Sequence, residues 1–491
     1  MKVLLVMPFN SDLIHAVSLP LGLISIATYL KENGYDVKIC DLSVSHVKIE
    51  KVFDEYRPDI VGVSLSSVKH LSGALYVSKK LRKKGVPIVW GGTFCDVADH
   101  EILLSCEDVD CLSFCEGEST WLEIVQNLEN GKGFENIKGI AYRDKNGKII
   151  VTPEREYIDL TSLPVLDYSL VNVKAYSQYL YGCNNLMYVY LSKGCPCQCT
   201  FCANQLTHRC TYRRRLLEHF MQETKVLVED YGVDGLYFCD EICFLTKDQV
   251  YEVCDAFEKS GLKFNWGFQT RIGVLSEAEF QRCYDCGCRW VDFGIESGNK
   301  EQLKRMKKAI PYDEIVPTFE ICDRIGLISL ANFIVGLPEE TEEQLMDSVN
   351  LAKEIKATQC SFLQYCFSPK TEMGRRAVES GLVKSSIKKL NDYKKIDFFL
   401  SRTENLSKVN QKELEVVQSY FLWQAIFKKD YSEETHSYDL FIKHIKTLFR
   451  RLSFLSFPNA FVCLLEFGFL ALRFFSDTHF QPKILKKYGL K

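Results

Sequence analysis

Over the first 125 residues, short apolar runs alternate with stretches of helical spacing. KVLLVM (2–7), DVKICD (36–41), IVGVSL (60–65), PIVWGG (87–92) and DCLSFC (110–115) read as buried strands, and the segments near 21–33, 69–84 and 119–130 read as helices. Such alternation predicts a doubly wound parallel sheet with helices on both faces. Ligands of these sheets lie beyond the carboxyl ends of the strands. The residues placed there are Ser64 and Ser66, then Gly91, Gly92 and Thr93, then Glu116, Gly117 and Glu118. This first unit is taken as residues 1–130. In the connector that follows, 131–183, YRDKNGKIIVTPE (142–154) has an Asn-Gly turn between extended runs and predicts a small hairpin.

The alternation returns over 184–372. LMYVYL (186–191), GLYFCD (235–240), FNWGFQT (264–270), WVDFGI (290–295), ISLANFIVG (328–336) and CSFLQYCF (360–367) are strand candidates separated by helical patterns. Six such units predict a partial (β/α)6 barrel of the TIM type, with its site at the carboxyl-terminal mouth. Asp240 and Glu241, Gln269 and Arg271, and Glu296 and Ser297 follow three of these strands. Residues 373–491 form a helical region that includes LEVVQSYFLWQAIFKK and NAFVCLLEFGFLALRFF (459–475). Glu466 and Arg473 interrupt the latter, which is too short and too broken for a membrane span. It reads as a buried or substrate-capping helix, with an interfacial helix as the alternative.

A chain of 491 residues has room for about three cores. A net charge of −3 announces no nucleic-acid partner. The 21 cysteines are many for this length. The opening MKVLLVMPFN lacks the apolar region and cleavage site of a signal peptide, so reduced cytoplasmic thiols are expected rather than a disulfide framework.

The densest chemistry is GCPCQCTFC (194–202). Cys195, Cys199 and Cys202 stand in a C-x3-C-x2-C pattern, with Cys197 as an extra thiol. The cluster follows the first barrel strand and so lies at the mouth. Thiolates favour zinc, copper(I) or iron–sulfur centres. A structural zinc needs a fourth ligand, for which Cys197, Cys210 and His208 are candidates, yet residues 195, 197 and 199 are too close to wrap one ion. A [4Fe–4S] cluster can take three thiolates and leave one iron open to a substrate or cofactor. Spacing favours iron–sulfur, with zinc and plain core thiols as the alternatives.

CPCQCTFC resembles the signature of the radical SAM superfamily, and the likeness extends over about 186–370. It implies that Cys195, Cys199 and Cys202 hold a [4Fe–4S] cluster whose open iron binds S-adenosylmethionine. Reductive cleavage would then give a 5′-deoxyadenosyl radical. Carried over to this sequence, Phe201 lies near the adenine, and Asp240 and Glu241 of YFCDEICF meet the methionine amino group. Glu296 and Ser297 of FGIESG meet the ribose and carboxylate. Val335 and Gly336 of FIVGLPEET lie beside the adenine, and Arg271 is a carboxylate partner.

Residues 1–125 resemble the Rossmann-like cobalamin-binding domain that precedes many radical SAM barrels. The matching stretches are PLGLISIATYLKENGYDVKICDLS (20–43), PDIVGVSLSS, PIVWGGTFCDVADHEIL and LSFCEGEST. The likeness implies that Ser64 and Ser66 bond the nucleotide tail, that Gly91 and Gly92 leave room for it, and that Glu116 and Gly117 sit on the last ligand loop. The family's D-x-H-x-x-G is absent: Asp12 and His15 stand at another spacing, so cobalt without a protein imidazole is expected.

Together the two likenesses imply a class B radical SAM methyltransferase that methylates an unactivated carbon by way of methylcobalamin. A cobalamin-linked cyclase or oxidative rearrangement is the alternative within enzymes. A cobalamin- or SAM-binding sensor, or a zinc-stabilised module, is the alternative outside them. The first domain has no second cysteine triad, which disfavours a methylthiotransferase. The implied partners are an electron donor such as a flavodoxin or ferredoxin and a small-molecule substrate. The Phe- and Leu-rich tail suits an apolar substrate, and Gln364 and Tyr365 are placed to face its pocket.

Overall fold

The computed structural model describes residues 1–10, 18–45, 47–383, 387–393, 404–427 and 482–490. β1 (Lys2–Met7), β2 (Asp36–Asp41), β3 (Ile60–Ser64), β4 (Ile88–Gly91) and β5 (Cys111–Ser113) are parallel, in the order β2-β1-β3-β4-β5. Their near-continuous apolar runs are explained by burial on both faces. Leu4, Val6, Val61, Val63, Ile88 and Trp90 pack into one core, and Val3, Leu5, Ile60, Val89 and Cys111 into the other. The hairpin of β6 (Ile140–Arg143) and β7 (Ile149–Val151) adds two antiparallel strands at the β5 edge.

β8 (Gln178–Leu180) runs antiparallel to β9 (Cys183–Val189), and a short pair, β10 (Ser192–Lys193) with β11 (Arg213–Arg214), follows. β9 then continues the second sheet with β12 (Gly235–Phe238), β13 (Asn265–Thr270), β14 (Cys288–Glu296), β15 (Ile328–Val335) and β16 (Gln359–Gln364). These six are parallel and in sequence order, so the sheet is an open, partial barrel. Met187, Leu236, Phe238, Trp266, Phe268, Phe293 and Phe333 face the outer helices. Leu186, Tyr237, Trp290 and Leu330 face inward and close the lower lumen.

The free β16 edge is covered by the helix Gln411–Phe427. Phe362 stacks on Phe421 with ring centroids 4.3 Å apart, and Gln364 bonds Gln411 (3.0 Å) and Gln418 (3.4 Å). A covered edge cannot template pairing with another chain. Among the described residues no helix is long and apolar enough to cross a membrane. The apolar stretch 459–475 lies outside the described residues.

Candidate functional site

The loop 194–212 leaves the mouth of the barrel between the paired strands β10 and β11. It turns at Gly194, where φ is +86° and an added Cβ would lie 2.3 Å from the Thr211 carbonyl oxygen, so no other residue fits. Asp240, buried at the end of β12, accepts hydrogen bonds from the Leu191 amide (3.1 Å) and from the amide and hydroxyl of Ser192. Burial pushes its carboxyl up to about 7. Glu241 accepts from the Gly194 amide (2.8 Å) and faces His208 Nε2 at 3.3 Å. Burial would raise its carboxyl, but His208 and the backbone donors outweigh that and hold it below its ordinary value. Both acids therefore anchor the cysteine loop, whose amides have left the sheet ladder and need acceptors.

Within the loop, Asn204 Nδ2 donates to the Cys195 carbonyl (2.7 Å) and Gln205 Nε2 to that of Cys199 (2.9 Å). The Thr200 amide reaches the Met306 carbonyl (2.9 Å), which ties the loop to the segment after β14. Cys199 is buried, and Cys195 and Cys202 are half-buried. Among the described residues, no three His, Cys, Asp or Glu side chains are arranged to hold a single metal ion. Three thiols carried by one short loop at a barrel mouth fit an iron–sulfur cluster with one open iron. Arg271, expected to meet the carboxylate of a bound ligand, donates within the protein to Cys197 Sγ and to the Ala309 carbonyl (2.6 Å).

On β14, Glu296 sits at a bulge with φ +70°. Its carboxylate pairs with the buried Lys308 ammonium at 2.7 Å. Gly294 makes room for the pair: a Cβ there would lie 2.5 Å from Glu296 Oε1. Ser297 is buried, donates to Gln302 Oε1 (2.6 Å) and accepts from the Asn299 amide (3.0 Å), so its hydroxyl is already used inside the protein. Val335 lies in the outer core, whereas Gly336 turns at φ +74° and gives its amide to Glu340 (2.5 Å). Phe201 packs against Leu303, Met306, Leu337 and Tyr365. Of the two residues placed to face a pocket, Tyr365 joins this cluster, while Gln364 turns away and holds the helix Gln411–Phe427.

The carboxyl ends of the first sheet meet this mouth. Glu116 accepts two hydrogen bonds from Arg213 (2.7 and 2.9 Å) and one from the Ile158 amide (3.1 Å). Glu118, buried, accepts from Ser25 (2.6 Å) and from Lys193 (3.1 Å), two residues before Cys195. Lys370 donates to the carbonyls of Asp96 (3.1 Å) and Ala98 (2.5 Å). Glu116, expected on a ligand loop, is thus taken up by the seam between the domains. Gly117 lets its helix close on Ile26, where a Cβ would lie 2.4 Å from the Cδ1 atom.

Ser64 ends β3, buried, in register with Gly91. The Ser66 hydroxyl engages His70 Nδ1 (3.2 Å), which Ser67 also reaches (3.1 Å). Burial lowers His70 to about 4 and keeps the ring neutral. Gly92 has φ +117°, and an added Cβ would lie 2.9 Å from the Leu65 carbonyl. Small residues and bare backbone at these strand ends fit the close approach of a broad cofactor such as cobalamin. Asp12 and His15 lie outside the described residues. Lys193, Arg213, Lys308 and Lys370 went unread in the sequence. Arg213 opens a run of three arginines and Lys308 follows another lysine, and no local spacing marks the partner of any of the four.

Comparison with known proteins agrees with this arrangement. Residues 14–125 match the B12 binding domain and residues 189–352 the Radical SAM superfamily. An uncharacterized methyltransferase of Pyrococcus horikoshii is 28% identical over 393 residues, covering 78% of this chain and 84% of its own. The cytidylyl-2-hydroxyethylphosphonate methyltransferase of Streptomyces wedmorensis is 26% identical over 447 residues, covering 78% and 82%. The fold is also that of the cobalamin-dependent S-adenosylmethionine radical enzyme OxsB, solved with aqua-cobalamin and S-adenosylmethionine bound. Its TM-score is 0.71 at 16% identity, covering 99% of this chain and 80% of OxsB. A B12 binding domain facing a radical SAM half-barrel across one seam places this chain in the family of cobalamin-dependent radical SAM enzymes.

Proposed function

We propose that the protein methylates an unactivated carbon of a small molecule. The observation that carries this reading is the seam itself: Lys193, in the strand that leads into the cysteine loop, is bonded to Glu118 at the carboxyl end of the B12 domain. When bound, the cluster with S-adenosylmethionine supplies a 5′-deoxyadenosyl radical, and cobalamin supplies the methyl carrier. The chain's own part is placement. Cys195, Cys199 and Cys202 hold the cluster, and Asp240 and Glu241 fix their loop. Phe201, Glu296 and Gly336 would line the mouth around the nucleotide, with Val335 packed behind them in the outer core. Ser64, Gly91 and Gly92 would lie on the cobalamin side, and the Glu116–Arg213 and Glu118–Lys193 contacts join the two domains that would carry the cofactors. A flavodoxin- or ferredoxin-type donor supplies the electron. Free thiols at every described cysteine accord with a reducing cytoplasm.

The test is turnover of the anaerobically reconstituted protein with cobalamin, S-adenosylmethionine and a low-potential reductant. Methyl transfer gives 5′-deoxyadenosine and S-adenosylhomocysteine together, and Cys199→Ala abolishes the first. 5′-Deoxyadenosine without S-adenosylhomocysteine would instead assign a cyclase or rearrangement.

A further inference from the structure

Beneath the cysteine loop the half-barrel holds a polar layer that none of the roles above uses. Tyr188, Tyr237, Gln269, Asp292 and Asn332 alternate with residues of the outer core, and Tyr237 OH (2.8 Å) and Asn332 Nδ2 (2.5 Å) both donate to Asp292. The layer is not sealed: Tyr188, Gln269, Asp292 and Asn332 are half-buried and Cys239 is exposed. One step lower the lumen is closed, with Trp290 fully buried. There a Cβ on Gly267 would lie 2.2 Å from the Trp290 ring, and the indole N–H has no partner. The chamber therefore has a floor, and its walls carry hydrogen-bonding capacity that the protein leaves unused.

The charge in this layer is uncompensated. An ionised carboxylate offers about four acceptor sites, of which Asp292 uses two, both on neutral donors. Burial pushes its carboxyl up to about 6, and the one charged neighbour acting on it is Glu296, of the same sign. The two cations nearer the mouth are engaged, Lys308 by Glu296 and Arg271 by Cys197 and Ala309. Glu296 folds back over Gly294, where an added Cβ would lie 2.5 Å from its Oε1 and 2.9 Å from Lys308 Nζ. Lys308 is spent on Glu296 and is not among the charges that act on Asp292. A partly desolvated carboxylate with no cation beside it is stabilised by a ligand that brings a countercharge.

We propose that Asp292, held by Tyr237 and Asn332, is the recognition carboxylate for a protonated amine on the substrate, whose apolar part lies along the Tyr188 ring. This rests on the radical-enzyme reading for the word substrate but not for the binding itself. The full-length, cluster-reconstituted protein is titrated with 2-phenylethylamine and with 3-phenylpropanoate, two probes of similar size and opposite charge, with and without saturating S-adenosylmethionine.

The amine binds at least about tenfold tighter than the acid, and saturating S-adenosylmethionine leaves that preference in place. Asp292→Asn removes it, and Asp292→Ser gives a second neutral variant should the amide not be accommodated. Tyr237→Phe, which keeps the charge, retains it. Equal binding of the two probes by the unaltered protein, or a preference that survives loss of the carboxylate, overturns the proposal. Loss of the preference on adding S-adenosylmethionine also overturns it, by assigning Asp292 to that cofactor. A retained preference in a protein that forms no 5′-deoxyadenosine would sink only the radical-enzyme reading.

Discussion

Replacing Lys308 by Met leaves the Glu296 carboxylate without its cation, at a bulge with φ +70°. The two side chains are 8% and 12% exposed and 2.7 Å apart. At an effective dielectric of about 20, unit charges at that separation attract by roughly 6 kcal/mol. Desolvation of both ions offsets much of this, and removing one partner of such a pair costs about 3–5 kcal/mol. The Lys308 ammonium is held above its ordinary range: burial opposes the charge, but Glu296 prevails. A raised lysine contributes stability below its unfolded value and loses it only as pH rises through the folded one, so the pair is intact across neutral pH. Hydrogen exchange of the β14 and β15 amides reads the effect locally, because a chain with several cores does not unfold in two states. With about 1.4 kcal/mol per decade, protection in Lys308→Met falls by roughly two to four orders of magnitude. Adding Glu296→Gln recovers most of the loss, since no buried charge then remains. A fall of less than tenfold, or a double variant no better than the single one, would refute this account of the mouth.

Glu340 is fully buried, and burial pushes its carboxyl up to about 7. The folded state then holds the proton more tightly than the unfolded chain, so stability falls as pH rises from about 4.5 to 7. Glu340→Gln should flatten that decline and melt higher than the parent at pH 8, by thermal scan. Asp240→Ala frees the Leu191 and Ser192 amides, and iron and sulfide bound after anaerobic reconstitution should fall several-fold, with a smaller loss in Asp240→Asn. Arg213→Ala removes both bonds to Glu116, and limited proteolysis between residues 140 and 183 should speed up while the two domains stay folded. Gly92→Ala forces a Cβ to within 2.9 Å of the Leu65 backbone at φ +117°, so cobalamin retention on gel filtration should drop relative to the parent.

Much of the architecture was written in local pattern. Runs buried on both faces announced the parallel strands, and DKNG announced the hairpin of β6 and β7. The C-x3-C-x2-C spacing marked the cluster loop because all three ligands come from one short segment. What stayed hidden involves groups far apart in sequence. The resemblance gives Asp240 and Glu241 a place beside a methionine amino group, and folding adds bonds to residues 191–194, nearly fifty positions earlier, that no local pattern announced. Arg271 read as a carboxylate partner and lies against Cys197. Gln364 read as a pocket residue and anchors a helix that begins 47 residues later.

Periodicity and ligand spacing are properties of short windows, so the chain alone decided which segments become strands, which face of each is buried, and where soft metal ligands gather. Charge compensation is a property of space. Only folding brings Lys193 to Glu118, Arg213 to Glu116 and Lys308 to Glu296, and only it leaves Asp292 without a cation. A buried charge must find whatever partner the topology delivers, and no local pattern in the sequence encodes that meeting.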